Sequence, residues 1–434
     1  MDTKAWAANN LAARLLAEPW TKHAIAAGIK AVLGPVHYRT RAALAAGLAE
    51  LGDGTYPPAP HALRAYLLVS PFFKPPPTRP IAAVLDPPRF APIPPLANLQ
   101  IPALATPGEL AKWLGQSPEQ LVWLSDERRG HRHASTPALQ HYCYAFVDKQ
   151  GGARRLIEAP KPRLKAIQRR ILREILSAVP VHGSANGFVA GRSCLTGAQV
   201  HAAESLVTTF DLTQFFPSIG LPRVHGIFRS LGYPWAVARC LAGLCTTVAP
   251  ASILRDLPDK AARTLHSVPH LPQGAPTSPA LANLLAFTLD RRLHGLARSA
   301  GANYTRYADD LAFSGNTNFA NGLGRFRKSV QTILNEEGFL LNPAKTRTMP
   351  RHTRQRITGI TVNEHCNVGR AEFDKLKATL YNCTRTGPAV QNHAQITDFR
   401  AHLDGRISWV EQINPPRGVK LREIFEQIDW RNES

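Results

Sequence analysis

The sequence predicts an α+β protein, and three features predict it. Alanine and leucine recur at helical spacing along the first 70 residues. Runs of strand formers bounded by turn residues occur at 142–157, 206–210 and 304–313. The carboxy-terminal stretch returns to helical spacing, in Leu403, Ile407 and Val410 and then in Leu421 and Ile424.

In chain order, Leu11, Leu15 and Leu16, then Ile25, Ile29 and Leu33, then Leu44, Leu48 and Leu51 predict three or four short amphipathic helices over residues 1–70. Pro19, Pro35 and the turn Gly52-Asp53-Gly54 punctuate them. From 71 to 104 proline dominates, in Pro75-Pro76-Pro77, Pro87-Pro88 and Pro94-Pro95, which excludes a lasting helix or a central strand and reads as a semi-rigid linker at a domain boundary. Thr106-Pro107-Gly108-Glu109 is a helix start. Tyr142 to Val147 reads as a strand, and 149–157 as a hairpin turn into a second strand. In that turn Gly151 and Gly152 let backbone amides approach an anion, with Lys149 and Arg155 adding charge against a triphosphate; it also reads simply as a basic turn. Residues 161–176 form an amphipathic helix whose Arg163, Lys165, Arg169, Arg170 and Arg173 make a basic face suited to a nucleic-acid backbone. A glycine-rich loop with Arg192 follows, over 183–197. In the last segment Arg406, Arg417, Lys420 and Arg422 lie on faces away from the apolar stripe, and Asn414-Pro415-Pro416 divides it into two helices.

The stretch Tyr304-Thr305-Arg306-Tyr307-Ala308-Asp309-Asp310-Leu311-Ala312-Phe313 reads as a hairpin with an acidic pair at its tip. A third acid, Asp211, ends the strand-like run 206–210. Three acids at strand ends can meet around a pair of hard divalent cations such as magnesium. Such a pair, about 4 Å apart, activates an attacking hydroxyl and stabilises a leaving pyrophosphate.

Lysine and arginine number 52 against 31 acids, a formal charge of +21, which implies a polyanionic partner. Six scattered cysteines show no paired metal-ligand framework and read as reduced thiols. No run approaches the roughly 18 apolar residues of a membrane span, and the amino terminus lacks a secretory layout. A cytoplasmic protein is expected.

Three segments in order, Asp211-Leu212-Thr213-Gln214-Phe215-Phe216-Pro217-Ser218-Ile219, Leu271-Pro272-Gln273-Gly274-Ala275-Pro276-Thr277-Ser278-Pro279 and Tyr307-Ala308-Asp309-Asp310, resemble successive palm motifs of bacterial reverse transcriptases. Gly187-Phe188-Val189-Ala190-Gly191-Arg192-Ser193 and Gly338-Phe339-Leu340-Leu341-Asn342-Pro343-Ala344-Lys345-Thr346 are similar to flanking motifs of the family. Gly197-Ala198-Gln199-Val200-His201 and Ile357-Thr358-Gly359 occupy the places of two signatures of the retron branch, with Gly197 departing from its asparagine.

The resemblance implies a right-hand polymerase: fingers over 105–200, a palm of antiparallel strands over 201–363 and a helical thumb over 364–434, after a helical extension over 1–70. Asp211 and Asp309 are expected to hold two magnesium ions, with Asp310 in support and the Leu212 carbonyl completing a coordination sphere. Lys149, Arg155, Gln214, Phe215, Phe216, Gln273 and Gly274 are expected at the incoming deoxynucleoside triphosphate. Phe216 would be the gate against a ribose 2′-hydroxyl, and Phe215 is the one expected to pack in the core. Arg163, Arg169, Arg170, Arg192, His201, Lys345, Arg406 and Arg417 are expected on RNA or primer. The implied partners are a structured noncoding RNA that serves as template and primer, the DNA product and a retron effector protein, with a role in antiphage defence. A reverse transcriptase of another bacterial class and a silent RNA-binding scaffold are the alternatives. An intron-encoded enzyme is expected to continue past the thumb, where this chain ends at Ser434, and the presence of all three acids argues against a scaffold.

Overall fold

The computed structural model describes residues 3–16, 20–51, 57–58, 60–75, 88–126, 130, 136–148, 154–257 and 259–430. They divide into two compact units, one of residues 1–179 with 219–281 and one of 180–218 with 282–434.

In the first unit the amino-terminal helices are Thr3–Leu16, Lys22–Leu33, Tyr38–Glu50 and Pro60–Val69. Most of the predicted stripe is their packing face: Leu11, Leu15, Ile25, Ile29, Leu33, Leu44 and Leu48 are buried in one cluster with Leu63 and Leu67, whereas Leu16 is partly buried and Leu51 is exposed. Within the proline-rich stretch, residues 90–93 do not run as a free linker. The Ala91 and Ile93 amides donate to the carbonyls of Gly232 and Ser230 at 2.9 and 3.2 Å, and Phe90 packs edge-on against Tyr233. Gly232, at φ +101°, permits this contact, because a Cβ there would lie 2.4 Å from the Pro92 nitrogen.

Strands β1 (Tyr142–Asp148) and β2 (Arg154–Pro160) pair as an antiparallel hairpin, from Tyr142 opposite Pro160 to Asp148 opposite Arg154. The turn between them, including Lys149, lies outside the described residues. The helix Pro162–Glu174 begins with proline, whose missing N–H costs nothing in the first turn. It buries Leu164, Ile167, Gln168 and Ile171. Gln168 Nε2 donates to the Tyr142 hydroxyl at 2.9 Å and to the Leu244 carbonyl at 2.8 Å, while its Oε1 is buried without a hydrogen-bond partner among the described residues.

The second unit holds an antiparallel sheet in the order β4-β5-β3-β6, formed by β3 (Leu206–Thr213), β4 (Ala302–Tyr307), β5 (Asp310–Gly315) and β6 (Leu340–Pro350). Helices Phe287–Ser299 and Thr317–Glu336 pack on it. Stacking of Tyr304 on Phe313 at 4.7 Å, and edge contacts of Phe313 with Phe210 and Phe326, make an aromatic layer between sheet and helix. The interior strand β3 is buried along nearly its whole length, Thr208 and Asp211 included, and the Thr208 hydroxyl donates to the Arg347 carbonyl at 3.0 Å.

Helices Arg370–Thr386, Phe399–Ile413 and Pro415–Glu426 share a second core with Leu376, Leu380, Leu403, Ile407, Val410 and Leu421. Asn414 ends one helix and caps the next, its side chain accepting the Arg417 amide at 3.2 Å. Gly418 lets these last two helices touch, because a Cβ there would lie 2.5 Å from the Glu411 Cα. Gly418→Ala is therefore expected to destabilise the protein by about 1–3 kcal/mol through overpacking against backbone. Urea unfolding of the variant measures it, and a stability equal to wild type would contradict the close approach.

Candidate active site

The sheet brings the three predicted acids to one end of β3 and β5. Asp211 lies opposite Asp310 across the β3–β5 ladder and opposite Asn342 across the β3–β6 ladder, just past a register shift between Thr209 and Asp211. Asp309 reaches the same end, since its carbonyl accepts the Leu212 amide at 3.0 Å. Ala308 and Asp309 form the whole connection between β4 and β5, with Tyr307 and Asp310 paired at its base.

Ala308 has φ +55°, at the first of two turn residues, where a tight hairpin usually places glycine. Its neighbours hold it there. Arg306 Nη1 donates to the Ala308 carbonyl at 3.1 Å. The segment 184–187 adds a strip along β4: the Asn186 amide donates to the Arg306 carbonyl at 2.7 Å, and the Arg306 amide to the Ser184 carbonyl at 2.8 Å. Gly187 then passes so close that a Cβ would be 2.8 Å from the Ala308 nitrogen. The Gly187 carbonyl is itself fixed by Asn283 Nδ2 at 2.8 Å.

Beneath the hairpin is a buried ion pair. Arg306 and Asp290 have no solvent exposure and meet through two bonds, Nη2 to Oδ2 at 2.7 Å and Nε to Oδ1 at 2.8 Å. The Tyr304 hydroxyl donates to Asp290 Oδ1 at 2.8 Å, and Arg306 Nη1 to Asn283 Oδ1 at 3.0 Å. The charges are thus satisfied inside the fold, as buried charges must be.

At the acids themselves Asp211 is nearly buried and accepts two bonds, from Asn342 Nδ2 at 3.1 Å and from Lys345 Nζ at 2.8 Å. That bond to Asp211, together with the charges of Asp309 and Asp310, raises the Lys345 ammonium above its ordinary value. The Asp310 carboxyl is pushed up to about 6 by desolvation, then by the charges of Asp309 and Asp211, with Lys345 offsetting part of the shift. Asp310 is solvent-exposed as a residue, which discounts desolvation and leaves repulsion among the three carboxylates as the sturdier cause. The cluster therefore carries more negative charge than one lysine neutralises, on oxygen atoms alone, which is the donor set of a hard divalent cation.

The residues expected at the nucleotide fall in both units. In the second, Gln214 turns the chain out of β3 with φ +50°, Phe216 is half-buried, and Phe215 is a core residue packed 5.5 Å from the Phe339 ring. In the first, Arg155 is half-buried on β2, and the Gln273 carbonyl accepts the amide of Glu158 on the same strand at 2.9 Å. Gly274, at φ +137°, would place a Cβ 3.0 Å from the Glu158 carbonyl.

Several expected RNA contacts are occupied otherwise. His201 is fully buried between the hydroxyls of Ser314, at 2.8 Å, and Thr305, at 2.7 Å. It is a core histidine and not a surface contact, which corrects the expectation; burial pulls it down to about 4, so it stays neutral. Arg192 Nη1 is turned onto three carbonyls, those of His182, Gly183 and Ala185, at 2.7–3.1 Å, and orders its own loop. Arg417 bonds Asn367 at 3.1 Å and lies over the Phe373 ring. Arg170 pairs with Glu174 over the Trp113 ring, and Arg163 bonds Gln116 at 2.9 Å. Arg169 is exposed and Arg406 half-exposed. Lys345, expected on the primer, sits on Asp211 instead. Asn342 and the Asp290–Arg306 pair were not expected in the site at all; the sole sequence signal was the position of Asn342 three residues before Lys345 in one motif.

An antiparallel sheet with three carboxylates at the end of a strand and its neighbouring hairpin is the arrangement expected of a nucleotidyl-transferring polymerase. The model of the family described as reverse transcriptase (RNA-dependent DNA polymerase) matches residues 147–362. The retron Mx65 reverse transcriptase of Myxococcus xanthus is 41% identical over 75% of this chain and 72% of its own length. The retron Mx162 enzyme of the same organism is 36% identical over 71% and 64%, and the retron Ec86 reverse transcriptase of Escherichia coli 32% identical over 66% and 81%. Among solved structures, a foamy viral protease-reverse transcriptase in complex with double-stranded DNA is similar at 16% identity and a TM-score of 0.36, over 68% of this chain and 42% of that one. This chain belongs to the reverse transcriptase family, within its retron branch, and is an RNA-directed DNA polymerase with the right-hand polymerase fold. Among the described residues no helix is long and apolar enough to cross a membrane.

Proposed function

We propose that this enzyme copies a structured noncoding RNA into DNA that stays joined to that RNA, by nucleotidyl transfer at Asp211, Asp309 and Asp310. The observation that carries the chemistry is the cross-strand register of Asp211 with Asp310, with Asp309 bonded back onto Leu212. The similarity to retron enzymes supports the choice of RNA. By the same resemblance, a retron effector protein and a role in antiphage defence belong to the proposal.

Asp211 and Asp309 would hold two magnesium ions, with the Leu212 carbonyl as a further oxygen ligand and Asp310 in support. When bound, the ions supply charge to activate a hydroxyl nucleophile and to stabilise departing pyrophosphate. Asn342 and Lys345 fix the Asp211 carboxylate on both oxygens, which orients it before any ligand arrives. Arg155, Gln273 and Gly274 are assigned to the incoming triphosphate and base, with Lys149 as a second cation. Arg169 and Arg406 are assigned to the nucleic-acid backbone. Phe216 is assigned to exclude ribose.

Nucleic acid recovered with the protein from its native host tests the RNA assignment. One structured RNA carrying covalently attached, DNase-sensitive DNA is expected. A broad mixture of cellular RNAs without attached DNA would contradict it.

Two further outcomes are expected. Phe216→Ala should lower the preference for deoxy- over ribonucleotides, measured as the ratio of the two kcat/KM values, because it removes the ring assigned to the 2′-hydroxyl position. An unchanged ratio in an active variant would move the gate elsewhere. Asp310, with its carboxyl near 6, binds a proton that competes with a cation at lower pH. The magnesium concentration for half-maximal rate should therefore rise as pH falls below about 6. In Asp310→Asn that rise should flatten, and a rise as steep as in wild type would show that another group is responsible.

A further inference from the structure

Apart from the three aspartates, a second cluster of metal-ligating side chains lies in the first unit. Glu158 on β2, His266 at the end of the helix Lys260–His266 and His270 four residues later are all buried, at 0, 3 and 0% exposure. One ligand atom from each lies within 4.8 Å of the others.

Hydrogen accounting leaves the cluster incomplete. His270 Nδ1 is 2.8 Å from the Val268 carbonyl, which can only accept, so Nδ1 carries the ring proton. In the neutral ring its Nε2 turns a lone pair toward Glu158 Oε2 at 2.9 Å, acceptor against acceptor; as an imidazolium it donates there instead. His266 Nδ1 approaches the same oxygen at 3.6 Å, too far for a hydrogen bond. Both His266 Nδ1 and Glu158 Oε1 are buried without a hydrogen-bond partner among the described residues. A proton between His270 and Glu158 would satisfy that contact and leave the other two atoms unpaired. A cation at their centre would engage His270 Nε2, His266 Nδ1 and one Glu158 oxygen together.

We propose that Glu158, His266 and His270 form a zinc site. Two imidazoles and a carboxylate are a borderline donor set that suits zinc and not magnesium, which prefers oxygen. The pair His266-Ser267-Val268-Pro269-His270 has the three-residue spacing common to zinc histidines. The bond from His270 Nδ1 to a backbone carbonyl is the usual outer contact that aims the other ring nitrogen at a metal. Three protein ligands leave a fourth position for water. The ion would join β2, the helix Lys260–His266 and the segment leading to Gln273, whose carbonyl already accepts the Glu158 amide. It would hold the Gln273–Gly274 turn in place from behind.

The test is metal analysis of the full chain, purified without an affinity tag or chelator, before and after incubation with zinc chloride and gel filtration. The expected result is ~1 zinc per chain, a thermal midpoint lowered by stripping with a chelator, and recovery on adding zinc but not magnesium. X-ray absorption at the zinc edge should show nitrogen and oxygen neighbours with imidazole scattering and no sulfur. His266→Gln should lose the zinc while keeping the wild-type circular dichroism; if that variant does not fold, the wild-type measurements decide. Wild type with less than about a tenth of an equivalent after zinc incubation, sulfur in the shell, or equal zinc in a folded His266→Gln protein would overturn the proposal.

Discussion

Asp211→Asn is expected to cut RNA-templated DNA synthesis by at least about a thousandfold, roughly 4 kcal/mol of barrier. The substitution keeps the shape of the side chain and removes its charge. It also replaces the oxygen that accepts Lys345 or the one that accepts Asn342, so whichever way the amide turns, one donor faces an –NH2 group. The fold should survive, because the change removes one of the two charges that, after desolvation, push Asp310 up to about 6. The check is single-nucleotide extension of a primer on RNA, with the thermal midpoint measured alongside. Activity within about tenfold of wild type in a folded variant would remove Asp211 from the chemistry.

Arg306→Met is expected to destabilise the protein by about 3–5 kcal/mol, because it leaves the Asp290 carboxylate buried and unpaired. Asp290 would keep only the Tyr304 hydroxyl of its present donors. The same change frees the Ala308 carbonyl, so the strained turn that carries Asp309 loses one of its holds. Combining Arg306→Met with Asp290→Leu should recover part of the loss, since no charge is then stranded. Urea unfolding of both variants measures this. A single variant within about 1 kcal/mol of wild type would show that the pair does not carry the hairpin.

These two residues mark the limit of what the sequence revealed. The acids were legible because strand formers run directly into Asp211 and flank Asp309 and Asp310, and the structure puts Asp211 opposite Asp310 in the sheet. The amino-terminal helices were legible from leucine and isoleucine spacing, since all the spaced residues but Leu16 and Leu51 are buried. Arg306 was not, because its partner lies 16 residues away on a helix, and nothing in a sequence distinguishes an arginine that faces water from one with no exposure. Arg192 shows the same ambiguity: a guanidinium expected on RNA or primer turns its Nη1 onto carbonyls of its own loop. His201 occupied a signature position, yet two hydroxyls on β4 and β5 hold it in the core. The cluster of Glu158 with His266 and His270 was invisible for a related reason, as its third member is more than 100 residues from the histidine pair.

Primer extension on an RNA template, with purified wild type and Asp309→Asn assayed side by side in magnesium, tests the assignment of chemistry to the acidic hairpin most directly. Wild type should add deoxynucleotides that the template dictates, and the variant should bind the same RNA with similar affinity while adding none above background. Extension by the variant at the wild-type rate, or none by a folded, RNA-bound wild type, would contradict it.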